Sequence, residues 1–285
     1  PIILGMVLGG IMEVKLRSAL PRLKTPLDMI DRPIAAVIFA LGGYIGAHVE
    51  QVNQLHGLSW MPWAFLLYYL AIERSIAYTP LLAAVITLQL LSGHTQTVFI
   101  TGVGMAIYTV INVFADIRAI TFMTTQDDWR RIIIQRILRG LFVIFVAIFI
   151  AVILTLPQLI STLELSNLSN RSGGFSPEQA MAFSWEATLM ARALLPGYDA
   201  QIFSEYIAYI GVLGICLALV GAFSGEMGKR RAIWTVIAIA GIFLALGIYN
   251  PLYWPIANLP GFNLFRVPAR WLALFALGSA MLAGM

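Results

Sequence analysis

Apolar residues in this chain run in long blocks that short polar stretches separate. Most blocks are about as long as a helix needs to cross the roughly 30 Å of hydrocarbon in a bilayer. Lipid offers no water to unpaired backbone groups, and these blocks lack the alternation of barrel strands, so we predict helices. The predicted spans are Pro1 to Met12, Ile34 to Val49, Trp60 to Ile72, Ile76 to Leu91, Thr97 to Ala115, Ile137 to Leu156, Tyr206 to Phe223, Ala232 to Tyr249 and Trp271 to Met285.

These blocks predict an all-α fold, a polytopic transmembrane helix bundle of about nine spans that forms one domain over residues 1–285. The first and last blocks are cut short, which indicates a fragment that lacks the N-terminal part of a longer protein. Trp60 to Ile72 is the shortest complete block, and a tilted or re-entrant element is the alternative reading there.

Composition agrees with a membrane protein and excludes other classes. Sixty per cent of the residues are apolar and 11% are charged, whereas a soluble domain has about a quarter charged residues. The net charge of +4 comes from short basic clusters between apolar blocks, so we expect no nucleic-acid partner. Cys216 is the single cysteine, which excludes a disulfide framework within this chain.

Basic residues divide unevenly between alternate loops. Fourteen of the eighteen lie in one set of loops, and Arg171, Arg192, Arg266 and Arg270 lie in the other. Cytoplasmic loops carry the excess of Lys and Arg in membrane proteins, so the first set is predicted to be cytoplasmic. The segments predicted outside are residues 50–59, 92–96, 157–205 and 250–270. We expect an interfacial helix in the long outer loop 157–205.

Arg266 and Arg270 are the most informative polar residues, because they stand four apart on the side where basic residues are scarce. If Val267 to Trp271 opens a helix with Pro268 in its first turn, the two arginines share a side. A guanidinium suits a phosphate or carboxylate, since its planar fork donates two hydrogen bonds and keeps its charge. The alternative is that both side chains reach lipid headgroups and anchor the helix end.

Other polar side chains gather at the same predicted boundary, including all three histidines. The candidate substrate-pocket residues are His48, Glu50, Asn53, His56, His94 and Gln96. A solvated loop is the alternative for the group from His48 to His56, and a structural hydrogen bond is the alternative for each histidine. The loop carboxylates, Glu164, Glu178, Glu186, Asp199 and Glu205, are weak candidates for a base because none has a partner at a fixed spacing.

The order of several motifs resembles that of bacterial YfhO-like membrane proteins. The stretches that carry the resemblance are Gly42-Gly43-Tyr44 through Asn53 to Trp60-Met61-Pro62-Trp63, Leu91 to Gln96, Tyr209-Ile210-Gly211 and Leu259 to Trp271. The resemblance covers most of the chain, and its weight lies in the order of the motifs rather than in any one of them.

That family is similar to the GT-C-type glycosyltransferases, which take a sugar from a polyprenyl-phosphate-linked donor on the outer face of the membrane. The resemblance implies a bacterial plasma-membrane enzyme that transfers the sugar to a glycan or cell-envelope acceptor. It also implies a catalytic acidic residue in the first outer loop, upstream of Pro1, and leaves open a divalent metal. Arg266, helped by Arg270, is then expected to bind the donor phosphate. The catalytic residue itself is not assigned in this chain.

Two other functions fit the same sequence. A transporter or flippase for a lipid-linked or amphipathic solute suits an outer cavity with few charges inside the spans. A structural subunit of a membrane complex needs only the apolar surface. Turnover separates them, because an enzyme releases polyprenyl phosphate whereas a flippase moves the intact lipid.

Overall fold

The computed structural model describes residues 27–123, 126–168, 175–190, 194–195, 203–224, 228–259 and 261–285. Within these ranges every regular element is a helix, which confirms the all-α fold class. The α-helices are α1 (Leu27–Leu41), α2 (Gly43–Ala47), α3 (Val52–Glu73), α4 (Thr79–Leu91), α5 (Thr95–Met123), α6 (Gln126–Leu154), α7 (Leu156–Asn167), α8 (Pro177–Ala180), α9 (Val212–Phe223), α10 (Lys229–Ala245), α11 (Tyr253–Ala257) and α12 (Leu272–Ala283). Single 3-10 turns lie at Ile76–Tyr78, Ala187–Leu189, Ser204–Tyr206, Gly247–Tyr249, Phe262–Leu264 and Pro268–Trp271. The predicted span Pro1 to Met12 lies outside the described residues.

Two of the described helices are long and apolar enough to cross a membrane. They are Thr95–Ala115, within α5, and Arg130–Leu154, within α6. Shorter apolar helices are Pro33–Ala47, Ile76–Leu91, Val212–Phe223 and Pro268–Ala283. All six stretches overlap blocks that the hydrophobic pattern marks as spans.

Helix α12 lies at the centre of one group of helices, with α10, α9 and α1 packed around it. Ten of its twelve residues are buried, so it has no face for solvent or lipid. A second group consists of α3, α4, α5 and α6, which pack against one another, and α5 joins the two groups by packing against α10. Arg270 lies in the 3-10 turn that leads into α12, so this cation is at the start of the central helix.

The segment 50–59 is helical from Val52 onward, and the prediction of an outer loop there is corrected. Gln54, Gly57, Leu58 and Met61 are all buried, and their spacing puts them on one face of α3. The polar residues between them hid this pattern in the sequence. Helix α3 has 22 residues, or about 33 Å at 1.5 Å per residue, so the block from Trp60 to Ile72 is part of a longer helix.

The predicted span from Tyr206 to Phe223 is helical only from Val212. Residues 207–211 run without helix, and Gly211 has a positive φ of 87°, which glycine adopts at little cost. Carbonyl oxygens in and next to this stretch accept hydrogen bonds from elsewhere in the protein. The backbone N–H of Tyr44 donates to the carbonyl oxygen of Tyr209 at 3.2 Å. The indole N–H of Trp185 donates to the carbonyl oxygen of Tyr206 at 3.1 Å. Contacts with other parts of the protein therefore hold this irregular segment.

The segments predicted to share the outer side meet at one end of the bundle, which we name the polar end. The backbone N–H of Phe175 donates to the carbonyl oxygen of Asn263 at 2.9 Å, and that of Val267 donates to Ala182 at 3.1 Å. Helices α3 and α5 begin at this end. The opposite end, named the basic end, joins Glu73 at the end of α3 to Lys229 at the start of α10, with 3.6 Å between Oε1 and Nζ.

We predict that Gly241→Ala lowers the stability of the bundle. A Cβ at this position would lie 2.5 Å from the backbone nitrogen of Phe275, so α10 and α12 must separate. Overpacking of this kind costs about 1–3 kcal/mol. The thermal midpoint in detergent should fall, whereas Gly102→Ala is a matched control because its nearest contact is 3.8 Å away. Equal midpoints for the two variants would contradict this packing.

Candidate functional site

A carboxylate without solvent exposure lies at the centre of the polar end. Glu205 is 0% exposed and sits in the 3-10 turn that precedes the irregular segment before α9. Its Oε1 accepts from Nε and Nη2 of Arg270 at 2.9 and 2.8 Å. Its Oε2 faces Nε2 of His48 at 3.0 Å and accepts from Nε2 of Gln54 at 3.3 Å. Side chains from three other segments therefore converge on Glu205.

The partners of Glu205 keep it ionised. Burial alone would raise the pKa of Glu205, but the hydrogen bonds from His48 and Arg270 and the charge of Arg270 outweigh it and lower the pKa to about 2. A carboxylate with so low a pKa and no exposed surface is a poor proton acceptor for a substrate. Glu205 therefore acts by holding its neighbours.

The two predicted arginines have different environments. Pro268 opens the 3-10 turn that leads into α12, as the sequence predicts, but Arg266 lies before this turn. The Arg270 side chain is 21% exposed and is held by Glu205 and by Gln96, whose Oε1 accepts from Nη1 at 2.7 Å. Arg266 is exposed, and no carboxylate among the described residues lies within ion-pair distance of it. Arg266 is the more accessible cation of the two.

Gln96 connects the two arginines. Its Oε1 binds the guanidinium of Arg270, and its Nε2 donates to the backbone carbonyl oxygen of Arg266 at 2.9 Å. Gln96 is buried in the first turn of α5, so this bridge is shielded from water. The backbone of Arg266 is therefore fixed to the ion pair, although its side chain is not part of it.

Backbone strain concentrates beside Arg266. Phe183 and Val267 are the two non-glycine residues with positive φ in the described part of the chain, at 61° and 67°. Val267 follows Arg266 directly, and Cζ of Arg266 lies 6.0 Å from the centre of the Phe183 ring, a cation–π contact. Such conformations cost of order 1–3 kcal/mol each and cluster at functional sites. Their position next to an exposed cation marks Arg266 as a functional candidate.

His94 is half-buried in the turn between α4 and α5. Burial, and after it the charge of Arg270, lowers the pKa of His94 from its ordinary 6.5 to about 4. Its Nδ1 lies 2.6 Å from Oγ1 of Thr97. His94 is therefore neutral at pH 7, beside the ion pair.

Three of the predicted pocket residues do not join this cluster. Glu50, Asn53 and His56 are exposed. Asn53 accepts through Oδ1 from the backbone N–H of Gln54 at 2.8 Å, and the His56 carbonyl oxygen accepts from the Ser59 hydroxyl at 2.7 Å. Of the six pocket candidates, the structure places His48 and Gln96 in the network and His94 beside it.

Glu205 was only one of five weak carboxylate candidates in the sequence. The signal that distinguishes it is its position, two residues after Phe203 and next to Tyr206, at the start of an apolar block. An acidic residue at such a boundary needs a cationic partner. Arg266 and Arg270 were the candidate cations on the same predicted side. Tyr44 also belongs here, because its hydroxyl donates to the carbonyl oxygen of Arg270 at 3.2 Å.

In the described ranges, no three His, Cys, Asp or Glu side chains are grouped so that they could hold a metal ion. A scan against protein-family models, a search of curated proteins and a search of solved structures each found no match.

Glu205→Gln is expected to destabilise the protein by about 3 kcal/mol, because it leaves the partly buried guanidinium of Arg270 without its counter-charge. The measurement is thermal or SDS-induced unfolding of the purified full-length protein. Glu164→Gln is the matched control, since Glu164 is an exposed carboxylate on α7 and should change stability by less than about 0.5 kcal/mol. A similar effect of both substitutions would contradict the assignment.

The lowered pKa of His94 predicts a loss of protein stability in acid. Because its pKa is about 4 in the folded protein and 6.5 ordinarily, the unfolded chain binds a proton first, and stability falls as pH drops from about 6.5 to 4. His94→Gln should flatten this part of the pH–stability curve, whereas exposed His56→Gln should leave its shape unchanged. Glu205 contributes its own loss only at lower pH. An unaltered curve for His94→Gln would rule this out.

Proposed function

We propose that the chain crosses a membrane several times, as a polytopic bundle of about nine spans. The support is apolar surface that none of the other described residues covers. Leu138, Phe142, Phe145 and Phe149 on α6 are all exposed, as are Leu213 and Phe223 on α9. Only 22% of the apolar stretch Arg130–Leu154 is buried. Patches of this size call for lipid or a partner surface in place of water.

The polar end faces the extracytoplasmic side of a bacterial plasma membrane in this proposal, and the basic end faces the cytoplasm. The charge bias of the loops supports this orientation. The directions of the helices agree with it, since α3 and α5 begin at the polar end and α10 begins at the basic end. The bacterial location rests on the YfhO-like resemblance alone.

At the polar end, the protein transfers a sugar from a polyprenyl-phosphate-linked donor to a glycan or cell-envelope acceptor. The bond between the sugar and the phosphate oxygen breaks, and the sugar joins the oxygen of an acceptor hydroxyl, whose proton is released. Negative charge grows on the departing phosphate. A cation placed at that oxygen stabilises the transition state more than the bound donor. Arg266 is the residue in this role.

One observation carries this assignment: Arg266 is an exposed guanidinium directly before Val267, whose backbone has a positive φ. Gln96 fixes its carbonyl oxygen, and Phe183 lies below its guanidinium. Arg270, which the sequence suggested as a second phosphate ligand, is engaged with Glu205 and Gln96 and serves mainly to hold Arg266 in place.

The test is Arg266→Ala in the purified full-length protein, supplied with a panel of polyprenyl-phosphate-linked hexoses and an envelope fraction as acceptor. Released polyprenyl phosphate should fall about 100-fold or more, the usual loss for one transition-state donor. Arg266→Lys should retain part of the activity, and exposed Arg74→Ala at the basic end should retain all of it.

Unchanged release in Arg266→Ala would contradict the proposed role of Arg266. Movement of intact donor lipid between vesicle leaflets, without release of polyprenyl phosphate in wild type, would favour the flippase instead. A protein that does neither and purifies with a stable partner would favour a structural subunit.

A further inference from the structure

The hydrogen bonds of His48 fix how many protons its ring carries. His48 is 0% exposed. Its Nδ1 lies 2.6 Å from the carbonyl oxygen of Tyr44, which can only accept, so Nδ1 carries a proton. Its Nε2 lies 3.0 Å from Oε2 of Glu205, and two bare acceptors at this distance would repel, so a proton also lies between these atoms.

The position of that second proton follows from the other partners of Glu205. Oε1 accepts twice from Arg270, and Oε2 accepts from Gln54. Each of these bonds favours an ionised carboxylate, so the shared proton belongs to Nε2. The total charge does not depend on this choice: with Arg270, the three side chains sum to +1 wherever the shared proton lies.

We propose that His48 is a positioning residue whose two ring nitrogens both donate hydrogen bonds, and that the His48–Glu205–Arg270 triad is a buried cationic centre that attracts the donor phosphate. The attraction of the donor phosphate rests on the proposed function, whereas the hydrogen bonding of His48 does not.

The surroundings leave the extra charge uncompensated. The groups that face His48 are the Tyr44 ring from α2, at 4.5 Å between ring centres, and Glu205. Glu205 in turn binds Gln54 from α3 and Arg270. Among the described residues, no second carboxylate forms an ion pair with the triad.

A buried net charge of this kind favours an anion at the nearest accessible position. Of the five N–H groups of Arg270, three point to Glu205 and Gln96. The other two belong to a side chain that is 21% exposed, so a phosphate oxygen can reach them from the solvent side. The net positive charge of the triad also makes the electrostatic potential at Arg266 more positive. Removal of His48 would lower this attraction without touching the bound phosphate.

The protonation state is tested on the wild-type protein by NMR of full-length material labelled with 15N-histidine, at pH 7.5. Both ring nitrogens of His48 should show directly bonded protons, with the signals assigned by their loss in His48→Gln. His56→Gln is the control and should leave them unchanged. A His48 ring with one bare nitrogen would overturn the proposal, whatever the transfer assay gives.

The attraction is tested by transfer kinetics of His48→Gln. The KM for a polyprenyl-phosphate-linked hexose should rise about tenfold, as expected for the loss of one nearby charge, with little change in kcat. Inorganic phosphate is added in a second arm, where it should inhibit wild type more strongly than the variant if the centre binds any phosphate. A fall in kcat with unchanged KM would contradict an electrostatic role, even if the NMR result holds.

Discussion

Apolar surface that faces outward is the constraint on which the other features of this protein depend. Helices α6 and α9 expose rows of large aliphatic and aromatic side chains, and α12 is enclosed on all sides. A surface of this kind is stable in lipid, where no water satisfies a polar group. Each polar group within the bundle must then find its partner in the protein, and polar residues are expected to collect at the two ends.

The polar end shows how this requirement shapes a site. Glu205 has no solvent exposure, and it receives hydrogen bonds from residues that precede α12, begin α3 and end α2. Because all of these donors meet at one carboxylate, their relative positions are fixed. Gln96 extends that order to the backbone of Arg266, while the Arg266 side chain stays accessible. The Glu205–Arg270 ion pair thus holds the site in place, and the Arg266 side chain can contact a ligand.

Much of the helical architecture could be predicted from the sequence, because apolar blocks of this length are rarely anything else. The hydrophobic periodicity did not predict the helix where polar and small residues belong to its buried face, as with Gln54 and Gly57 in α3. It also failed at residues 207–211, where the backbone N–H of Tyr44 donates to the carbonyl oxygen of Tyr209 in place of a helical hydrogen bond. The charge bias identified Arg270, but no local pattern links Arg270 to Glu205, 65 residues away. That pairing depends on tertiary packing.

The single cysteine offers the most direct test of the membrane environment. Cys216 is exposed and lies within α9 among apolar residues. If α9 is surrounded by lipid, a charged, membrane-impermeant maleimide should leave Cys216 unlabelled in intact membranes and label it after denaturation in SDS. The reference is the exposed position Glu50→Cys in a Cys216→Ala background, which should react at once. Native Cys216 that reacts as fast as the reference would contradict a bilayer around this helix, and with it the account of the whole bundle.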